Sequence, residues 1–222
     1  MRVNKVEIRN KIIDGAKIYE KHFLGKHYLV VYNNRCVKIQ FNKNNFLHLT
    51  GVGTYLQTGK FFEFCIKEKL TTNQFFFNKR YPYDFASKKV NNLINLSKLF
   101  SSDSIILEDV TTETKVFKIG MTELSFTLCF DNFMESSDFL TVCSHRVEKM
   151  SSSIVDKSSD AFFIDYVFSK RTNEQKYERI EYDGKKAISS DEIIELLSQS
   201  LVEEVLNHHK CNSYWQVVIS FV

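Results

Sequence analysis

The hydrophobic pattern of this chain changes period near residue 101, and that change limits the fold more than any other feature. Before it, apolar residues recur at helical spacing. Ile8, Ile12, Ala16, Tyr19 and Phe23 step by four and three, so residues 3 to about 24 are read as one amphipathic helix. His27–Asn33 and Arg35–Phe41 alternate around Asn33-Asn34, a pair that tolerates the positive φ of a two-residue hairpin turn. Thr58–Leu70 has a helical pattern, and Thr71-Thr72-Asn73-Gln74 has the capping-box form that opens another short helix. The only proline, Pro82, precedes a helix predicted over Tyr83 to Phe100. Its apolar face holds Ala86, Val90, Leu93 and Ile94, and Lys88 and Lys89 are assigned to solvent.

After Ser101-Ser102-Asp103 the period becomes two. Ile105/Leu107, Val116–Ile119, Leu124/Phe126/Leu128/Phe130 and Phe162/Ile164/Tyr166/Phe168 read as half-buried strands, with a shorter one at Phe139–Cys143. Turns are expected at Thr111–Thr114 and Gly120-Met121, and mobile polar loops at Asp131–Ser137 and Met150–Ser159. Lys176–Tyr182 adds a strand before the Asp183-Gly184 turn. Ser189-Ser190-Asp191-Glu192 caps a helix of about 18 residues carrying Ile194, Leu197, Leu201 and Val205. Tyr214–Val222 is apolar enough for a terminal strand or a contact between copies of the chain. The fold class is therefore α+β: an N-terminal helix and β-hairpin, a helical segment, an antiparallel sheet of about four or more strands, and a C-terminal helix and strand extension. The expected division is 1–26 as an N-terminal extension, 27–182 as the main domain and 183–222 as a C-terminal extension.

At 222 residues with 43% hydrophobic composition, the chain can bury a sizeable core, and 20 phenylalanines exclude a disordered class. Its 30 basic and 27 acidic residues leave only +3, so any nucleic-acid contact has to be local. Cys36, Cys65, Cys129, Cys143 and Cys211 include no Cys-x-x-Cys pair, which suits free thiols in a reducing cytoplasm. No apolar run reaches membrane-spanning length, and the opening Met-Arg-Val-Asn-Lys-Val-Glu is too charged for a signal peptide. The expected location is the cytoplasm, with no membrane partner. His208-His209-Lys210-Cys211 lacks a second ligand pair and reads as a solvated helix end.

Asn45-Phe46-Leu47-His48-Leu49-Thr50-Gly51 is the leading candidate for a site. Imidazole titrates near neutrality and suits general acid/base work, while Gly51 and Gly53 let the backbone turn or approach a ligand. Between two leucines, His48 also fits a hydrogen-bonded core histidine. Lys79 and Arg80 beside Tyr81 and Tyr83 offer phosphate and base contacts. Arg146 with Glu148 fits a strand-face ion pair as well as an anion site, and Lys170-Arg171 fit solvated turn charges as well. Glu108-Asp109 and Asp165 are too dispersed in sequence to propose a metal site, so neither a metal nor a cofactor is expected.

From Tyr28 to about Tyr177 the chain resembles the phage-associated nuclease-like family of the Barnase, EndoU, colicin and RelE (BECR) superfamily, in its Asn-Phe-x-His-Leu-Thr-Gly form. The resemblance rests on Asn45–Gly51, Lys79–Asp84, Ile106–Asp109, Leu124–Leu128, the Ser-x-Arg-Val-Glu segment at Ser144–Glu148, and Phe168–Arg171. It implies a metal-independent endoribonuclease of a phage or another mobile element, acting in a bacterial host on RNA such as tRNA. His48 would be the acid or base, and Arg80, Arg146 and Lys170 would stabilise phosphate charge. Thr50, Ser144 and Ser169 would position phosphate oxygens, Tyr81 or Tyr83 would stack a base, and Lys79 and Arg171 would add substrate contacts. His145 stands where related sequences tend to be apolar and is given no catalytic role. The alternative is a catalytically inactive binding module that holds a host protein, a guide RNA or a defence ribonucleoprotein.

Overall fold

The computed structural model describes residues 3–112, 115–123, 125–132, 137–147 and 158–206. The expected strand at 214–222, the His208–Cys211 cluster and most of the two polar loops lie outside the described residues.

Helix α1 spans Lys5–Phe23, and the Asn4 side chain caps it by accepting from the Glu7 amide at 3.1 Å. The predicted stripe is the buried one: Ile8, Ile12, Ala16, Tyr19 and Phe23 all face the core. Strands β1 (Lys26–Tyr32) and β2 (Arg35–Gln40) form the expected hairpin, with Asn33 and Asn34 at φ 46° and 55°. Then come helix α2 (Phe46–Thr50), the short strand β3 (Gly53–Thr54), helix α3 (Thr58–Ile66), strand β4 (Phe75–Phe76) paired to β3, and helix α4 (Tyr83–Asn92). Thr71–Gln74 does not open a helix. The Gln74 side chain accepts from the Thr71 amide as in a capping box, but the Gln74 carbonyl is taken by Tyr55 and Thr54, which pulls the chain into β4. The helix expected to Phe100 stops at Asn92, whose side-chain amide donates to the Lys88 carbonyl, and Leu93–Lys98 continues as a 3-10 turn.

The meander follows as β5 (Ser104–Thr111), β6 (Val116–Glu123), β7 (Phe126–Asn132) and β8 (Leu140–Arg146). Gly120-Met121 is not a turn. It lies within β6, where Gly120 faces the Val110 side chain on β5. The run Phe162–Phe168 divides at Ile164-Asp165 into β9 (Asp160–Phe163), paired to β5, and β10 (Tyr166–Arg171), paired to β1. With β11 (Arg179–Asp183), the described sheet has nine strands in the order β11-β10-β1-β2-β8-β7-β6-β5-β9, antiparallel except where β2 meets β8. Because two residues join β9 to β10, the sheet is curled enough for one kinked length of chain to bridge its β5 and β1 regions.

Strand β1 is buried on both faces, which its unbroken Tyr-Leu-Val-Val-Tyr run requires. Tyr28, Val30 and Tyr32 pack with α1–α4; Leu29 and Val31 pack with Tyr166, Phe168 and the C-terminal helices. That C-terminal segment is not one helix. It divides into α5 (Asp191–Leu196) and a second helical stretch at 199–206, because the Tyr177 backbone captures the chain at Leu197 and Ser198.

Tyr19 is fully buried against Phe23, Phe41, Phe46 and Phe62, and its hydroxyl donates to the Asn42 carbonyl at 3.0 Å. Truncating it leaves a cavity between α1 and the segment that carries α2. Tyr19→Ala is expected to lower unfolding free energy by about 3–5 kcal/mol in a denaturant titration, and Tyr19→Phe by only about 1 kcal/mol.

Candidate active site

Strand β2 pairs with β8 only at Ile39–Leu140 and Gln40–Thr141. Beyond that point the β8 edge passes under α2 and the loop after it. The His145 ring, wholly buried, donates through Nδ1 to the Leu49 carbonyl at 2.8 Å and packs edge-on to Phe126. A carbonyl can only accept, so Nδ1 carries the proton and Nε2 is left as a lone pair with no partner among the described residues. Burial, opposed by that hydrogen bond, lowers the His145 pKa to about 4. The residue is a neutral anchor that fixes α2 to the sheet.

Between α2, the β3–β4 pair, α4 and the β8 edge lies a cleft of about 670 Å³. His48, Arg80, Tyr81 and Ser144 line it, together with Phe76, Phe85, Lys89 and the Gly51–Thr54 backbone. His48 is solvent-exposed, and partial burial of its ring and then the Lys89 charge hold its pKa below the usual histidine value. At neutral pH it is therefore mainly a proton acceptor. The Arg80 guanidinium lies over the Tyr81 ring at 5.6 Å, at the end of a tight turn closed by the Asn78 side chain.

Lys89, assigned to solvent by sequence, is only 7% exposed. It sits three residues after Ala86 and four before Leu93, on the buried stripe of α4 and its 3-10 continuation, and its ammonium lies 4.8 Å from the Phe85 ring centre. Gly51 makes room for it. That residue adopts φ 72°, and a Cβ there would approach the Lys89 stem to 2.9 Å. Burial first, and then the neighbouring Arg146 charge, lower the Lys89 pKa to about 8. The nearby Cys129 thiol, pushed up to about 11 mainly by burial, is neutral and gives no counter-charge. Among the described residues no carboxylate pairs with Lys89. Lys89 thus lines the cleft close enough to Arg146 to feel its charge, although Arg146 is not itself part of the cleft wall.

Other sequence candidates lie elsewhere. Thr50 is fully buried, donating to the Leu47 carbonyl at 2.7 Å and accepting from the Val52 amide, so its hydroxyl closes α2 and is not offered to a ligand. Tyr83 packs on Phe77, and its hydroxyl accepts from the Asn4 amide. Lys79 is exposed but not part of the cleft wall. Lys170 does not converge with His48 and Arg80. It lies on β10, three strands or roughly 14 Å along the sheet from β8, and its ammonium donates to the Gln175 carbonyl and lies over Tyr177. Ser169 donates to Glu181 at 2.7 Å, and Arg171 pairs in register with Lys26 at the far side of β1. A second groove, of about 630 Å³, is lined by Glu108, Asp109, Asp138 and Glu192 against Lys38 and Lys118, a balance that repels a polyanion. Among the described residues, no group of three or more His, Cys, Asp or Glu side chains is placed to hold a metal ion, and no helix is long and apolar enough to cross a membrane.

A family model described as phage-Barnase-EndoU-ColicinE5/D-RelE like nuclease 4 matches residues 11–186. That span runs from within α1 past β11 and contains every residue of the cleft. No curated protein and no solved structure gives a significant match.

Two titrations follow from this geometry. His145 takes a proton near pH 6.5 when unfolded but only near 4 when folded, so its contribution is complete above 6.5 and is lost as pH falls from 6.5 to 4. The loss is about 3 kcal/mol; in His145→Gln that part of the acid limb is expected to vanish when stability is measured at steps from pH 7 to 4. Lys89 behaves in the opposite pH range. Its folded pKa of about 8 against 10.5 unfolded means that no penalty exists above 10.5, that it grows as pH falls to 8, and that it is complete at pH 7. Lys89→Met is expected to be more stable than wild type by about 2–3 kcal/mol at pH 7 and by little near pH 10.5.

Proposed function

The chain belongs to the phage-Barnase-EndoU-ColicinE5/D-RelE like nuclease 4 family, and from that premise we propose that it is a metal-independent endoribonuclease whose reaction takes place in the cleft between α2 and β8. One observation carries the reading: buried Lys89, which has no carboxylate partner among the described residues, faces a cleft that also holds an exposed histidine. A protein that keeps an ammonium there at a penalty of about 3 kcal/mol is organised to receive an anion at that place. The +3 net charge agrees with a local rather than a global attraction for RNA.

In the proposed reaction, neutral His48 takes the proton of a ribose 2′-hydroxyl as that oxygen bonds to the adjacent phosphorus. Arg80, Arg146 and Lys89 balance the charge that accumulates on the phosphorane oxygens. Ser144, which lines the cleft from the β8 edge, would orient one of them through its hydroxyl. The bond from phosphorus to the 5′ oxygen then breaks, and that oxygen takes a proton, for which Lys89 is the best-matched acid in the cleft because burial brings its pKa close to neutrality. The products are a 2′,3′-cyclic phosphate and a 5′-hydroxyl. A phage or mobile-element setting in a bacterial cytoplasm, with tRNA or another structured RNA as target, is the biological form of this proposal.

Labelled total RNA incubated with the purified protein is expected to give fragments ending in 2′,3′-cyclic phosphate. His48→Ala should lower the rate by about a hundredfold or more. The pH profile of kcat/KM should rise through the His48 pKa below 6.5 and fall near 8 as Lys89 loses its proton. Intact RNA with both wild type and His48→Ala, together with tight RNA or protein capture that the substitution leaves unchanged, would favour the inactive binding module instead.

A further inference from the structure

Most exposed large apolar side chains among the described residues are scattered, but two of the three aromatic ones there, Tyr55 and Phe85, flank the cleft. Tyr55 is 74% exposed on the loop after β3, although its backbone amide is held by the Gln74 carbonyl at 3.2 Å. The ring is thus presented on a fixed main chain. It leans on Phe76 with centroids 4.7 Å apart; Phe76 meets Tyr81 edge-on at 6.0 Å; and the Arg80 guanidinium covers Tyr81. A continuous row of rings therefore leads from open solvent at Tyr55 to the wall of the cleft that holds His48 and Lys89.

Gly53 is what allows the row to approach the backbone so closely. A Cβ there would stand 2.4 Å from the Phe76 ring and 2.8 Å from the Tyr81 ring, so any other residue would push both rings outward. Phe76 and Tyr81 are each covered by a neighbour, whereas the outer part of Tyr55 is left to water. An exposed ring of this kind, within reach of a cationic phosphate site, matches the stacking platforms on which proteins hold unpaired bases.

We infer that Tyr55, backed by Phe76, is a base-stacking subsite, and that the substrate of the cleft is an unpaired nucleotide run or loop of RNA rather than a duplex. The inference rests on the nuclease reading for the phosphate contacts and adds the recognition of a base. A base inside an A-form helix already has both faces stacked and cannot lie on Tyr55 without leaving its pair. Selection is by accessibility of the ring face, so the subsite tolerates different bases.

The test separates binding from cleavage by using the full-length His48→Ala protein and fluorescence anisotropy with a labelled single-stranded oligoribonucleotide, alone or annealed to its complement. The single strand is expected to bind more tightly than the duplex. Tyr55→Leu, which keeps an apolar cover on Phe76 but removes the flat face, should weaken single-strand binding about tenfold and leave duplex binding unchanged, and Tyr55→Trp should restore wild-type affinity or exceed it. Thermal melting of each variant shows that the fold is intact. Equal affinity for single strand and duplex, or a Tyr55→Leu protein that binds like its parent, overturns the inference while leaving the nuclease reading in place. Tyr55-dependent binding together with no cleavage by the wild-type protein overturns the reaction and leaves the subsite standing. No binding of either RNA overturns both.

Discussion

An early end to one strand pairing determines where this protein has its cleft. Strand β2 leaves β8 after Gln40–Thr141, so the last residues of β8 have no strand on that side. Exposed sheet edges are hazards, and this one is covered by α2 and the loop behind it. The cover is held by the bond from His145 to Leu49 and by the pinned hydroxyl of Thr50. Because α2 is only five residues long, the cover is incomplete, and what remains open is the cleft. The same arrangement gives His145 its properties: a ring enclosed between helix and sheet, bonded through one nitrogen and with no partner among the described residues at the other, stays uncharged. An anchor of that kind stiffens the support of His48 without competing with it for protons.

Space in the cleft is created by residues that have no side chain. Gly51 admits the stem of Lys89, and Gly53 admits the rings of Phe76 and Tyr81. These contacts come from three separate segments, α2 with its loop, β4 and α4, so the site forms only when the helical layer is packed. The large aromatic cluster around Tyr19 performs that packing, since its rings reach from α1 to Phe41, Phe46 and Phe62. Core and site are coupled through the segment from Phe41 to Gly51, with Phe46 facing the core and His48 facing solvent two residues later.

Short-range pattern in the sequence was enough to identify the N-terminal helix, the Asn33-Asn34 hairpin and the four-strand meander, because each depends on neighbours within a few residues. Where long-range partners decide, it was not enough. The alternation Phe162–Phe168 is real, but its break at Asp165 is made by the distant hairpin: the Asp165 amide donates to the Val31 carbonyl, and its carboxylate accepts from the Asn33 amide. In the cleft, His48, Arg80, Tyr81 and Ser144 were identified from short motifs and meet in space. Lys170 was included on equal grounds and does not meet them, since adjacency to a strand end says nothing about which strand will be its neighbour. Lys89 was missed although a signal existed. Its spacing from Ala86 and Leu93 marks the buried stripe, but a lysine there looks like an error of pattern until a glycine on another element is known to face it.

On the proposed reading, the cations of the cleft are what a polyanion would meet on a nearly neutral chain. Thirty basic residues against 27 acidic ones produce little long-range field, and several surface lysines, such as Lys43 and Lys115, already face a carboxylate. Their attraction for RNA is largely cancelled and screened by salt. Lys89 differs because its charge sits in a poorly solvated place with a like charge beside it, where the effective dielectric is lower and each unit of charge acts more strongly on whatever anion enters. On the proposed reading, a phosphate at the wall that Lys89 lines would offset the cost of holding that ammonium out of water. On the proposed nuclease reading, the charge that would meet a phosphate backbone is that of the buried Lys89 rather than the small net charge of the chain.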